Sequence, residues 1–223
     1  MIKLALIIAV VSYLLGSIPF GYLLVRIFRG QDVRHQGSGN IGATNVARTG
    51  SKGLAIATLI LDAAKGYLAV QLAMWLLRSR SLQGGGSSSV YESGTIALDS
   101  RSVFLLAALA AFCAILGHIF TPWLGFKGGK GVAAAAGAFL ALEPRAMLAA
   151  LVVFGIVVAA TRYVSLASVI AVAVFPAFVW WLNPAQRTTL PILLLIALSS
   201  LLIIVRHKDN IRRLLSGSEH RFR

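Results

Sequence analysis

The sequence predicts an all-α, polytopic membrane protein: seven transmembrane helices with short fourth and fifth spans, the N-terminus outside and the C-terminus in the cytoplasm. Three observations predict it. Of the 223 residues, 58% are hydrophobic and 13% charged, and the mean hydropathy is +0.83; a soluble domain of this size could not hide that much apolar surface. The apolar residues fall in long continuous runs, which selects helices over a barrel, the two structures that satisfy their backbone in lipid. The cations segregate between alternate loops, as the positive-inside rule requires.

A span needs about 20 apolar residues. The first run, residues 4–25, has the charge and apolarity of a signal peptide but is too long for one and has no A-x-A site, so it is read as an uncleaved span. The second, residues 53–77, carries Asp62 and Lys65 at a spacing that permits an intrahelical pair facing the bundle interior. The third is residues 103–119. Residues 132–142 and 147–160 are the two short spans, separated by Glu143-Pro144-Arg145; residues 164–182 and 190–205 complete the set. Parity decides for seven. With an odd count, four polar stretches share one face: residues 37–48 (GSGNIGATNVAR), 117–131 (GHIFTPWLGFKGGKG), 162–165 (RYVS) and 206–219 (RHKDNIRRLLSGSE). A six-span reading, with the fourth and fifth merged into one kinked helix, would set the RYVS loop and the basic tail against the charge bias. Residues 78–101, rich in Gly and Ser, read as a flexible outer loop. The whole chain, 1–223, reads as a single integral-membrane domain.

The net charge of +14 does not call for nucleic acid. Arg26, Arg29, Arg34, Arg48, Lys52, Lys127, Lys130, Arg162 and the tail cations fall on one side, against Lys3, Arg78, Arg80, Arg101, Arg145 and Arg187 on the other. That pattern suits a membrane surface and anionic headgroups. Cys113 is the only cysteine, so no internal disulfide forms, and no cysteine cluster suggests a structural metal. Neither a metal nor a cofactor is expected.

The four polar stretches carry the chemistry. Gly37–Gly42 matches G-x-G-x-x-G in form, but a dinucleotide site needs a preceding strand and a βαβ unit, and this match sits between two spans. What remains is local physics. Gly37, Gly39 and Gly42 allow close backbone approach; Ser38, Asn40, Thr44 and Asn45 offer neutral hydrogen-bonding groups; Arg48 offers a fork suited to phosphate. Phe126-Lys127-Gly128-Gly129-Lys130-Gly131 precedes an Ala-rich helix. It lacks the Ser or Thr of a Walker A loop, yet its glycines can bare N–H groups at a helix N-terminus, with Lys127 and Lys130 beside them. His118 reads either as a satisfied interfacial residue or as a catalyst. His207 and Asn210, three apart on a plausible helix, share a face and could orient or deprotonate a hydroxyl. The segment after Asn210 is amphipathic, and Glu219 can cap it or pair with a nearby cation.

Together these stretches resemble the bacterial acyl-phosphate:glycerol-3-phosphate acyltransferase family over nearly the whole chain. Ser38-Gly-Asn-Ile-Gly-Ala-Thr-Asn45 with Arg48 is similar to its first motif, Gly117-His118 with Phe126-Lys-Gly-Gly-Lys-Gly-Val132 to its second, and Arg206-His207, Asn210, Arg213 and Glu219 to its third. Thr121-Pro122 departs from the pattern, in which Pro more often follows Phe directly, and the outer loop is longer than usual. The resemblance implies an enzyme of the bacterial cytoplasmic (inner) membrane with its site facing the cytoplasm. It would move a long acyl chain from an acyl phosphate to the 1-hydroxyl of sn-glycerol 3-phosphate, giving lysophosphatidic acid and phosphate in phospholipid synthesis.

On that reading His207, Asn210, Ser38 and Arg48 are the catalytic set. Gly39, Asn40, Thr44, Asn45, Lys127, Gly128, Gly129, Lys130, Gly131 and Ser165 bind substrate. No Ser-His-acid or Cys-His grouping is present, so direct attack is expected rather than an acyl-enzyme. The competing class, a transporter of phosphorylated metabolites, would place its groups at the midplane between repeated halves, and no repeat appears. Membrane lipid is the other expected partner. Nothing in the sequence sets the oligomeric state; a monomer is consistent with it.

Overall fold

Glycines set how closely the helices pack in the computed structural model, which describes residues 1–83, 99–183 and 189–221. Helix α1 (Ile2–Gly16) crosses α5 (Ser100–Ile119) where Gly16 faces the Ala114 carbonyl and Gly117 the Tyr13 carbonyl. Helix α4 (Lys52–Gln83) crosses α6 (Val132–Leu142) in the same way, Gly66 against Ala134 and Gly137 against Ala63. A Cβ at any of these glycines would run into the facing carbonyl. Where lipid is as apolar as leucine, such close backbone contact is what draws helices together.

The remaining helices build outward. Helix α7 (Pro144–Thr161) lies along α8 (Val164–Leu182), α8 along α9 (Leu190–Arg206), and α9 returns to α5. A core of Ile115, Ile119, Phe139, Phe175, Ile196 and Ile203 fills the space between α5, α6, α8 and α9. Among the described residues, five helical stretches are long and apolar enough to cross a membrane, and α9 with α10 (Lys208–Leu215), bent by 55° at His207, makes a sixth if the pair is taken as one span. Helix α6 has only 11 residues, roughly 16 Å of helix. It coincides with the predicted short fourth span, residues 132–142, but is shorter than the helices long enough to cross a membrane.

Two expectations change. The fifth span is not short. Pro144 lacks the N–H that a helix's first turn leaves unused, so it starts α7 rather than merely ending α6, and α7 reaches 18 residues. The first span is not one helix either. Pro19 interrupts it, and α2 (Phe20–Arg29) begins anew after Ser17–Pro19. The carbonyls freed by the break find buried donors: Lys65 Nζ donates to Ile18 at 2.6 Å and Thr121 Oγ1 to Ser17 at 2.6 Å. Thr121, the departure from the family pattern, is thereby tied to the first span. Asp62 and Lys65 form the intrahelical pair at 2.7 Å. Most of the expected outer loop, residues 84–98, lies outside the described residues, as do Arg187 and Arg223.

Candidate active site

The four polar stretches meet at one end of the bundle. The first is built around Asn45 in the short helix α3 (Ala43–Arg48). Its side chain is 1% exposed; Oδ1 accepts from the Ser38 N–H at 2.8 Å, and Nδ2 donates to the carbonyls of Asn40 (2.7 Å), Val33 and Gln36 (both 3.0 Å). Asn40 Oδ1 accepts from Gly42 N–H at 2.9 Å. Asn45, expected to bind substrate, frames the loop: a buried amide must satisfy itself, and here the loop backbone does so. The framing leaves Ser38, Gly39, Thr44 and Arg48 exposed. The Arg48 stem lies over Gly37, at 3.0 Å from where a Cβ would stand. Val33, Ile41 and Val46 pack on Leu124, which docks this loop on the second stretch.

The glycine turn is tied down from below. Gly128 N–H donates to Ile119 O and Gly129 N–H to His118 O, both at 3.0 Å. These are carbonyls that the end of α5 leaves open. Two of the amides expected to cradle phosphate are thus turned inward. Among the described residues no backbone hydrogen bond takes up the Lys130 and Gly131 N–H groups, which lead into the first turn of α6, with Gly131 in the left-handed region at φ 93°. Lys130 Nζ donates to Asn210 Oδ1 at 2.6 Å. Burial lowers the Lys130 ammonium to about 8; Glu219 offsets part of this, while Arg213 and Arg48 push the same way as burial. Arg48, Lys130 and Arg213 are therefore near neighbours. Lys127 is exposed, and the described contacts do not join it to them.

The tail completes the cluster. His207 is 3% exposed and its Nδ1 lies 2.8 Å from the Ile203 carbonyl. A carbonyl only accepts, so Nδ1 carries the hydrogen and Nε2 is left as the acceptor. Asn210 Nδ2 donates to Glu219 Oε1 at 2.6 Å, Ser165 Oγ to the same oxygen at 2.7 Å, and Arg213 Nε to Oε2 at 2.6 Å. Burial alone would raise the Glu219 carboxyl, but these three bonds outweigh it and hold it below the usual range. Ser165 was expected to bind substrate; its hydroxyl hydrogen goes to Glu219 instead. Glu219 itself is the residue that sequence reasoning undervalued. Its signal was a carboxylate, one of two with Asp209, in a strongly basic tail.

Beneath this cluster lies an apolar cavity of about 210 Å³, lined by Val132, Ala136, Phe139, Met147, Phe175 and Ile203 among others. Two of its wall residues adjoin the polar groups. Val132 follows Gly131 in the chain, and the Ile203 that lines the cavity also holds His207.

A family model described as glycerol-3-phosphate acyltransferase matches residues 6–217. The chain belongs to the glycerol-3-phosphate acyltransferase family. As a member it is an acyltransferase. It is 45% identical to a glycerol-3-phosphate acyltransferase of Anaeromyxobacter sp. (strain Fw109-5), covering 99% of this chain and 97% of that one. It is 43% identical to the Agrobacterium fabrum (strain C58 / ATCC 33970) enzyme of the same name, covering 96% and 89%. Among solved structures, the glycerol 3-phosphate form of PlsY (YgiH), an integral membrane glycerol 3-phosphate acyltransferase, superposes with a TM-score of 0.80 at 34% identity, covering 98% of this chain and 96% of that one. The lysophosphatidic acid form superposes at 0.77, with 32% identity and coverage of 98% and 95%.

Proposed function

We propose that the chain transfers a long-chain acyl group from an acyl phosphate to the 1-hydroxyl of sn-glycerol 3-phosphate, releasing phosphate and 1-acyl-glycerol 3-phosphate. The observation that carries this reading is the junction of two unlike environments: the turn that carries Lys130 runs on into Val132, and the carbonyl beside His207 belongs to Ile203, and both residues line a cavity with apolar walls. An acyl phosphate needs both, a phosphate held by cations and a tail held out of water. The relatives' names, and the two PlsY forms, supply the acceptor and the product.

The hydroxyl oxygen attacks the acyl carbon, the new ester bond forms, and the bond from that carbon to the phosphate oxygen breaks. Arg48, Lys130 and the N–H groups of Lys130 and Gly131 take up the charge moving onto the leaving phosphate. Ser38 and Thr44 position phosphate oxygens. Asn210 and His207 orient the glycerol hydroxyls, and the proton passes to His207 Nε2 or to the phosphate itself. No acyl-enzyme is required, because the donor is already a mixed anhydride, and proximity provides much of the rate. In this reading seven spans cross a bacterial cytoplasmic membrane, with the N-terminus outside and the site on the cytoplasmic side.

The test is phosphate release by purified protein in lipid with palmitoyl phosphate, with and without glycerol 3-phosphate. The expected result is release that depends on the acceptor and matches lysophosphatidic acid one for one. Release that ignores the acceptor refutes the assignment. Labelling of Lys3→Cys from outside and Ser218→Cys from inside checks the orientation.

A further inference from the structure

The helix that follows the break at Pro19 has a face that the proposed chemistry does not use. Along its inner side α2 seats the first polar loop. A Cβ on Gly21 would run into the Ile41 carbonyl, and the fully buried Val25 packs with Val33, Ile41 and Val46. From Arg26 to Gly30, by contrast, every residue is exposed. Ile27 is 70% and Phe28 67% exposed, with Arg26 and Arg29 on either side of them.

Length places this end of α2. The apolar stretch that α1 and α2 form together runs from Ile2 to Arg29, 28 residues. At about 1.5 Å per residue it covers roughly 42 Å, against about 30 Å of hydrocarbon. The surplus carries the last turn of α2 out to the headgroups on the side of the site. Large apolar side chains next to cations suit that layer: the first sink toward the acyl boundary and the second meet phosphate.

The positive-inside bias accounts for cations at this level in general. What sets Arg29 apart is its partner. Its Nη2 donates to the Thr49 carbonyl at 3.0 Å, and Thr49 directly follows Arg48 at the end of α3. Arg26 donates to the Gly30 carbonyl at 3.2 Å. Among the described residues neither has a carboxylate partner. A guanidinium has five N–H donors, so a single carbonyl leaves the Arg29 fork with donors and a full charge for an anion outside the chain. A neutral carbonyl bond this exposed is weak on its own, because water competes for both ends. A phosphate on the other edge of the fork would hold the guanidinium in place.

We infer that the end of α2 is a docking surface for anionic phospholipid headgroups. There Arg29 is a positioning residue: it bridges a headgroup phosphate to the Thr49 carbonyl and so steadies the end of α3, from which Arg48 extends. The inference rests on the reading that Arg48 serves the transfer. Its signature is a rate that follows the charge of the surrounding leaflet through one side chain.

The experiment measures kcat/KM for phosphate release from palmitoyl phosphate with glycerol 3-phosphate in nanodiscs of phosphatidylcholine carrying rising fractions of phosphatidylglycerol. It is run at low and high salt, with thermal unfolding alongside. A charged surface repels the anionic substrates from parent and variant alike, so the quantity read is the ratio of the parent's kcat/KM to that of Arg29→Gln. From neutral to anionic discs that ratio is expected to rise roughly fivefold, the effect of one Arg at an anionic surface, and the rise is expected to shrink at high salt. Arg212→Gln removes an exposed cation of α10 that does not touch the first loop, and it is expected to respond to lipid as the parent does. A ratio that stays constant across the lipid series marks the Thr49 bond as merely structural and overturns the inference. A response lost equally in Arg212→Gln also overturns it, since bulk surface charge would then suffice. Arg48→Gln separates this inference from the reading beneath it. Near-parental turnover in that variant removes Arg48 from the transfer and the coupling with it; a disabled Arg48→Gln together with a constant ratio removes the coupling alone.

Discussion

Glu219 offers the sharpest test of how the site is held. Its carboxylate accepts three hydrogen bonds of 2.6–2.7 Å from Ser165, Asn210 and Arg213. They do not weigh equally. The Arg213 side chain is 35% exposed, so water screens that bond and it contributes about 0–1 kcal/mol. Ser165 and Asn210 are buried, and each bond to an ionised acceptor contributes about 1.5–3 kcal/mol. Glu219→Ala leaves both donors without a partner, so we expect a loss of about 3–5 kcal/mol of stability. Asn210 is also the acceptor for Lys130, so the loosened amide should release the ammonium, and kcat/KM should fall roughly 10- to 100-fold. Glu219→Gln keeps one carbonyl oxygen for the buried pair and loses mainly the exposed Arg213 bond. It should cost about 1 kcal/mol and retain most activity. The assay is thermal unfolding in detergent, with steady-state phosphate release from palmitoyl phosphate. An alanine variant with parental melting and kinetics, or a glutamine variant as damaged as alanine, refutes the weighting of buried over exposed bonds.

Other outcomes follow from the same geometry. Lys130 is charged below about 8 and neutral above, so KM for palmitoyl phosphate should rise as pH passes upward through that value, and Lys130→Met should flatten the rise. Ser165→Ala should cost about 1.5–3 kcal/mol and leave KM for glycerol 3-phosphate within about twofold; a large rise in that KM would return Ser165 to the substrate. His207→Gln should alter the pH profile of kcat if Nε2 takes the proton, and retained turnover with an unchanged profile assigns the proton to phosphate. Phe139 packs on Phe175 with ring centroids 4.6 Å apart beside the cavity. Phe139→Ala should therefore cost about 3 kcal/mol and shift preference toward longer or branched chains, measured by competition between acyl phosphates.

What the sequence revealed was whatever its own periodicity and punctuation carry. Long apolar runs placed the helices, and the alternation of charge gathered residues 37–48 and 206–219 on one face before any coordinates did. What it hid depends on partners far away along the chain. Ser165 and Glu219 are 54 residues apart, and nothing local says that the serine gives its hydrogen to the acid. Asn45 was read as a polar group near a ligand, because its type is informative and its burial is not. The break at Pro19 was present in the letters, but hydropathy averaged over a window erases a single proline. Glu143-Pro144-Arg145 was read as a separator between two spans, although proline also opens helices. The open carbonyls at the end of α5 were a missed signal: every helix end leaves such groups, and the following glycines were their nearest donors.

The charges at the site explain why so much of it is scaffolding. Arg48, Lys130, Arg206 and Arg213 stand near one another against Glu219 and Asp209. The side chains of the site are therefore net positive, and in the proposed transfer two phosphate-bearing substrates bring it toward neutrality. In the proposed transfer the hydroxyl proton ends on the released phosphate or beside it, so total charge is the same before and after. The cations need not create a nucleophile. They need only stand where charge shifts from the acyl carbonyl to the departing oxygen, and fixed charges act there without reorganising. Such a site is sensitive to displacement and tolerant in chemistry. That is the reason for spending Asn45 on a loop, Glu219 on three side chains, and Gly128 and Gly129 on the end of a helix, instead of aiming them at substrate.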